Sequence, residues 1–174
     1  SEFQGDALRG GGIQDVLIAE NHIHTPLGSV QTLNHTDFIQ IWGTDQTLLT
    51  KNVEIRDNVL DAAGGAGSQG IFIKNENVNE TGFYQNISIH NNVIHSSQPE
   101  GIGVQHVDSL EVYNNTLLWN KNATSQASPG AREESTYPRM ILRDAPDAEV
   151  YGNITGPSQL NGNYLSTGDN YILT

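Results

Sequence analysis

A five-residue phrase that recurs about every 31 residues constrains the fold of this chain more than any other feature. The segment "DFIQI", from Asp37 to Ile41, alternates apolar and polar residues as a half-buried strand does. Matching segments begin at residues 6, 37, 69, 100, 138 and 169, so the steps are 31, 32, 31, 38 and 31 residues. Such a period is typical of repeat architectures, in which each unit buries its apolar side against its neighbours.

A second segment lies between successive copies of the first. Its five versions read "VLIAENHI", "VEIRDNVL", "ISIHNNVI", "LEVYNNTL" and "AEVYGNIT", with Asn always at the sixth position. An asparagine at a turn tolerates the left-handed region, and its amide can bond the backbone and the next asparagine above it. We therefore predict two short strands in each period and a column of structural asparagines at one corner, formed by Asn21, Asn58, Asn92, Asn115 and Asn153.

Together these patterns predict a solenoid of β-coils whose equivalent strands pair in parallel. The alternative is an immunoglobulin-like or jelly-roll sandwich, because short strands with Gly and Asn turns also suit those folds. A sandwich, however, needs no matching residues every 31 positions. The composition agrees with an all-β chain, since 18 Gly and a hydrophobic fraction of 36% disfavour an ordinary helical enzyme.

The phrases "DFIQIWG", "QGIFIK" and "NISIHNNVI" resemble the repeats of right-handed parallel β-helix proteins secreted by bacteria. That superfamily holds pectate lyases, alginate lyases and mannuronan C5-epimerases. The resemblance covers residues 5–174 and implies one all-β domain, a single-stranded right-handed parallel β-helix (solenoid) of about five to six coils. It also implies a secreted or cell-surface bacterial protein. Residues 1–4, which open with "SEF", are interpreted as a cloning scar or terminus.

The chain departs from that superfamily in having fewer coils and no N-terminal capping helix. Because uncapped ends expose pairing edges, three expectations stay open: an excised piece of a longer solenoid, capping by its own loops, or end-to-end pairing with another copy. The net charge of -12 disfavours nucleic acid as a partner. No apolar run is long enough to predict a membrane span, and the absence of Cys leaves the compartment open.

A binding surface is predicted on the outward positions of the first strand, because inward positions are filled by the core. Neighbouring strands lie about 4.8 Å apart, so the outward residues form one strip that suits an extended polymer, here an acidic polysaccharide. The predicted strip consists of Gln40, Trp42, Phe72, Lys74, Gln105 and Arg143, and the predicted substrate-binding residues are Gln40, Trp42, Phe72, Gln105 and His106. Alternatively, a loop covers the aromatic residues and the cations are ordinary solvated side chains.

For catalysis, the candidates are His35, Asp37, Lys74 and Arg143. Uronate lyases and epimerases remove a proton next to a carboxylate and stabilise the resulting charge, which needs a base and a cation or Ca²⁺. Lys74 or His35 would serve as the base, with Arg143 or Ca²⁺ as the stabiliser. The densest group of titratable residues is expected to be His35 and Asp37 with Glu100 and His106 from neighbouring coils.

Two functions of different classes therefore stay open. In the first, the β-helix binds an acidic polysaccharide and cleaves or epimerises it on an outward strand face. In the second, the solenoid is a non-catalytic structural or adhesive module that serves as a spacer or assembly unit. Fold alone does not decide between them.

Overall fold

Parallel β-structure accounts for nearly all of the regular structure in this protein. The computed structural model describes residues 5–27, 36–44, 46–122, 137–161 and 166–173. Within these ranges the chain forms eighteen strands, arranged in three parallel sheets, and one single-turn helix, α1 (Val78–Thr81). The predicted all-β class is confirmed. Over the same ranges, no helix has the length and apolar character needed to cross a membrane.

Each sheet contains six strands, and neighbouring strands are three strands apart along the chain. The first sheet runs β1 (Leu8–Gly10), β4 (Thr36–Gly43), β7 (Ser68–Asn75), β10 (Glu100–Gln105), β13 (Arg139–Arg143) and β16 (Gln159–Asn161). The second runs β2 (Gln14–Ala19), β5 (Lys51–Arg56), β8 (Tyr84–His90), β11 (Val107–Tyr113), β14 (Glu149–Tyr151) and β17 (Ser166–Thr167). The third runs β3 (His22–His24), β6 (Val59–Asp61), β9 (Val93–Ser96), β12 (Thr116–Trp119), β15 (Ile154–Thr155) and β18 (Tyr171–Ile172).

Each repeat thus contributes three strands, and the prediction of two was wrong. The segment "VLIAENHI" divides at its asparagine, because β2 ends at Ala19 and β3 begins at His22. The corner at Asn21 takes the chain from the second sheet into the third. The residue two places after each corner asparagine is then buried, and these residues are Ile23, Leu60, Ile94, Leu117 and Thr155.

The interior is filled by columns of aliphatic side chains from equivalent positions. Ile39 lies opposite Ile71, and Ile71 lies opposite Ile102. All three are fully buried, so the predicted register of the first sheet is confirmed. Burial of one such side chain stabilises the folded state by about 1.5–3 kcal/mol. Each repeat therefore gains this stabilisation only when its apolar residues lie in register with those of the next repeat.

The corner asparagines form a continuous hydrogen-bonded ladder, as predicted. The Nδ2 atom of Asn58 donates to Oδ1 of Asn92 at 2.9 Å, and Nδ2 of Asn92 donates to Oδ1 of Asn115 at 2.9 Å. The backbone N–H of Asn92 donates to the same Oδ1 of Asn115 at 3.1 Å. Because these asparagines are fully buried, each bond satisfies a polar group that the corner would otherwise leave without a partner.

The left-handed backbone conformation at this corner belongs to the residue before each asparagine, and not to the asparagine itself. The values of φ lie between 54° and 66° in four of these preceding residues, which are Asp57, Asn91, Asn114 and Gly152, and φ is 59° at Glu20. The ladder asparagines are absent from the positive-φ set. Our expectation that the ladder asparagine tolerates the left-handed region was therefore wrong by one position.

The last copy of the five-residue phrase lies in a different sheet from the others. The segment that begins at Asp169 matches the alternation, but Ile172 pairs with Thr155 in the third sheet. The reason is that Asn170 extends the ladder: its Oδ1 accepts a hydrogen bond from Nδ2 of Asn153 at 2.9 Å. The sixth strand of the first sheet is β16 instead. Ile172 therefore belongs to the third sheet and not to the first.

Candidate functional site

The register brings the predicted strip together on the outer face of the first sheet. Gln40 lies opposite Phe72, and Trp42 lies opposite Lys74. Gln105 follows opposite Lys74, and Arg143 follows opposite Gln105. Arg143 is exposed, and the other members of the strip are half-buried. The strip is therefore contiguous and open to solvent over four neighbouring strands.

One aromatic side chain of the strip is held between a cation and a carboxylate. The guanidinium carbon of Arg9 lies 5.3 Å from the centroid of the Trp42 ring, which is a cation–π contact. The indole Nε1 of Trp42 donates to Oε1 of Glu76 at 3.4 Å. These two contacts orient the ring, while the side chain stays partly accessible.

Phe72 occupies space that the next strand leaves free. A Cβ atom on Gly103, the neighbouring outward position, would lie 3.3 Å from the Phe72 ring. Because a larger residue there would push against the ring, glycine allows Phe72 to lie along the sheet.

Lys74 forms an ion pair with Glu76, which lies just after the end of the same strand. Its Nζ lies 2.7 Å from Oε1 of Glu76, two residues further along the chain. The hydrogen bond from Lys74 lowers the pKa of Glu76; burial opposes this, while the hydrogen bond from Trp42 and the charges of Lys74 and His106 add to it. As long as Lys74 is paired with Glu76, its amino group is not free to act as a base.

His106 is fixed by a backbone carbonyl. Its Nδ1 lies 2.7 Å from the carbonyl oxygen of Asn75, and since that oxygen only accepts, Nδ1 carries the proton of this bond. Its Nε2 lies 3.4 Å from Oδ2 of Asp144, and the Phe83 ring is 5.5 Å away. The imidazole therefore borders the Lys74 end of the strip.

The predicted group of titratable residues is not a cluster, because its members lie at opposite ends of the strands. Glu100 begins β10, and His106 follows its end. Six residues of strand span roughly 20 Å. Asp37 belongs to the Glu100 end, and His35 lies outside the described residues.

Asp37 is fully buried and bonds Gln40, which is a member of the strip. Its Oδ2 accepts a hydrogen bond from Nε2 of Gln40 at 2.7 Å. A polymer lying on the strip would meet Gln40 before it met Asp37. Asp37 is thus placed to orient Gln40, and direct proton transfer by Asp37 has no support in this geometry.

The structure adds residues that the repeat pattern did not single out as site residues. Glu76 lies two positions after Lys74, which the period of two along a strand puts on the same side. Asp144 directly follows Arg143. A search for acidic residues within two positions of each strip cation would have found both.

Among the described residues, no group of three or more His, Asp or Glu side chains is arranged to hold a metal ion.

The outer face of the second sheet differs, because its side chains pair with one another across strands. His90 stacks on Tyr113 with centroids 4.5 Å apart, and Tyr113 stacks on Tyr151 at 5.0 Å. Glu54 lies 3.1 Å from Nε2 of His90 and 3.2 Å from Nε of Arg56. These contacts connect four successive strands.

The outer face of the third sheet carries exposed apolar residues. Val59 is 40% exposed, Val93 is 37% exposed and Tyr171 is 68% exposed. The first two lie on neighbouring strands. Beside them, Nδ1 of His95 lies 2.9 Å from Oδ1 of Asp61. The three outer faces of the sheets are thus chemically distinct.

Comparisons with protein-family models, with curated proteins and with solved structures found no match to this chain.

Proposed function

We propose that this chain is a right-handed parallel β-helix of the secreted bacterial type and that the outer face of its first sheet binds an acidic polysaccharide. The observation that carries the proposal is the register that brings Trp42, Lys74 and Arg143 onto neighbouring strands. The whole chain has only 8 Lys and Arg against 20 Asp and Glu. Two cations on one face of a chain with this excess of acidic residues are therefore unlike its average surface.

The chemistry of the strip suits sugars that carry carboxylates. Guanidinium and ammonium groups bind carboxylates, amide side chains bond hydroxyls, and aromatic rings contact the apolar faces of sugar rings. The strip offers all three kinds of group, on strands spaced about 4.8 Å apart. An extended uronate polymer laid across the strands would meet these groups in succession.

The direct test compares the wild type with the double variant Lys74→Ala/Arg143→Ala in affinity electrophoresis through gels containing polygalacturonate or alginate. We expect the variant to lose at least about tenfold in affinity, because each charge-assisted contact contributes about 1.5–3 kcal/mol. The matched control is Lys51→Ala/Lys121→Ala, which removes the same charge away from the strip. Equal retention of the two double variants would refute the assignment of this face.

Lyase or epimerase chemistry on the same face is the catalytic form of the proposal. Arg143 would hold the uronate carboxylate, and Lys74 would accept the neighbouring C5 proton after it has separated from Glu76 and released one of its own protons to solvent. In a lyase the C4–O bond then breaks and its oxygen takes a proton from solvent, whereas in an epimerase a proton returns to C5 from the opposite face. Incubation with uronate polymers, with and without Ca²⁺, would give ultraviolet absorbance from unsaturated ends or an NMR signal from inverted C5. Binding without either signal across a broad panel would reduce the proposal to a binding module.

The second candidate is a structural or adhesive module that assembles with other copies, laterally or end to end. The exposed Val59 and Val93 on the third sheet favour it, because contiguous exposed apolar residues tend to mark interaction surfaces. Sedimentation over a range of protein concentrations tests it. A monomer at every concentration would speak against self-assembly.

A further inference from the structure

One cation of the strip is already occupied by a carboxylate of the chain itself. The Nζ atom of Lys74 and the Oε1 atom of Glu76 are 2.7 Å apart, which is a charge-assisted hydrogen bond. The same oxygen lies 3.4 Å from Nε1 of Trp42. Glu76 thus contacts two of the residues that would receive an acidic ligand.

Glu76 lies beside the strip, just after the end of β7. It follows Asn75, the last residue of β7, and its backbone N–H donates to the carbonyl of Gly43 at 3.4 Å. Its side chain is 36% exposed and that of Lys74 is 26% exposed. Since both partners reach solvent, they can separate by a change of rotamer, and the backbone does not have to open.

The two cations of the strip therefore differ. Arg143 is exposed, and no ion pair to it occurs among the side chains that the structure describes, whereas Lys74 is paired. An ion pair near the surface is a weak contact that a competing anion can replace. A ligand carboxylate would reach Arg143 directly but would have to exchange with Glu76 at Lys74.

We propose that Glu76 is a built-in competitor for acidic ligands, which occupies Lys74 in the free protein and is displaced when a ligand carboxylate binds. This inference rests on the proposed binding of acidic polysaccharide to the strip. It concerns the regulation of that site: the side chain acts as an internal copy of the ligand's charged group. Its effect is to make binding weaker and to require that a ligand make several contacts at once.

The test is the variant Glu76→Gln, titrated with polygalacturonate at low ionic strength. Glutamine keeps the size of the side chain and removes its charge, so we expect affinity to rise about threefold to tenfold. The matched control is Glu80→Gln, an exposed position in α1 that removes the same charge without touching Lys74. The control is expected to change affinity by less than about twofold.

A double-mutant cycle separates competition from a general change in charge. In a Lys74→Ala background, Glu76→Gln should no longer increase affinity beyond the Glu80→Gln control. A wild type that binds, with equal affinities for Glu76→Gln and Glu80→Gln, would overturn the inference and leave the proposed function intact. Absence of binding by the wild type and by Glu76→Gln would overturn both.

Discussion

The outer faces of the first and second sheets are built from the same repeat but use their polar groups differently. On the second sheet, stacking and ion pairs run from strand to strand, as His90, Tyr113 and Tyr151 show. On the first sheet, the short side-chain contacts of Lys74 with Glu76 and of Gln40 with Asp37 are local, at 2.7 Å each. The contacts that Trp42 makes across strands, with Arg9 and Glu76, are longer. A face whose side chains satisfy one another across strands strengthens the stack, whereas a face with local pairs keeps groups that a ligand can recruit.

A substitution in the asparagine ladder, at the corner on which both faces depend, should cause the largest loss of stability. Asn92→Ala removes an acceptor for two hydrogen bonds from Asn58 and a donor to the carbonyl of Ile55 and to Asn115. Because these groups are buried, we expect the free energy of unfolding to fall by about 3–5 kcal/mol. Urea denaturation measures it.

The matched control for the ladder is Asn79→Ala, an exposed asparagine in α1. It should change the free energy of unfolding by less than about 0.5 kcal/mol. Equal effects of the two substitutions would mean that the ladder does not hold the corners.

Tyr113→Ala tests the second sheet. Its ring is stacked on both sides, so its removal should lower the free energy of unfolding by about 2 kcal/mol and leave polysaccharide binding unchanged. Tyr171→Ala, at a tyrosine that is 68% exposed, is the control for stability. A loss of polymer affinity in Tyr113→Ala would break the division between the two faces.

For Trp42→Ala on the first sheet we expect the opposite result, a small loss of stability and a large loss of binding. The ring has a cation–π contact and one long hydrogen bond, so we expect a loss of less than about 1 kcal/mol in stability. Affinity for polygalacturonate should fall about tenfold, because the variant loses an aromatic contact surface. Unchanged affinity in gels would place the ligand elsewhere.

The smallest effects are changes in stability with pH, and they have opposite signs on the two faces. The pKa of Glu76 is lowered in the folded state, first by its hydrogen bond from Lys74. The stabilisation is therefore complete above the pKa of the unfolded state and is lost as pH falls through the folded pKa. The variant Glu76→Gln should lose less stability in acid than the wild type, as thermal unfolding at a series of pH values would show.

On the second sheet the sign is reversed. Burial raises the pKa of Tyr151, and the charges of Tyr113, Glu111 and Glu149 add to the shift. Its contribution is complete below the unfolded pKa and is lost as pH rises through the folded pKa. Tyr151→Phe should therefore lose less stability than the wild type in alkali. The reverse order would contradict the assignment.

The sequence predicted the pairing between successive repeats well, because this pairing follows from the period and the register. Equivalent residues thirty-one or so positions apart, such as Ile39 and Ile71, had to pair if the repeats were stacked. The corner asparagines were predictable for the same reason. Relations around each repeat were predicted less well. The third strand was missed because the eight-residue segment on both sides of each corner asparagine was interpreted as a single strand.

The local contacts of the site were harder to predict. Glu100 and His106 looked close when counted in repeats, although they lie at opposite ends of β10. The pairing of Glu76 with Lys74 depends on side-chain rotamers and on the turn before α1, which periodicity does not encode. Asp37 was expected to act on substrate, yet it is buried and bonds Gln40.

The uniform spacing of strands in the first sheet gives the molecule the properties of a ruler. Each repeat advances its outer face by roughly 4.8 Å, and each repeat contacts mainly the ones before and after it. Duplication or loss of one unit would lengthen or shorten the recognition track by one increment while leaving the rest in place. Ligand length could thus evolve by changing copy number, with no redesign of the individual contacts.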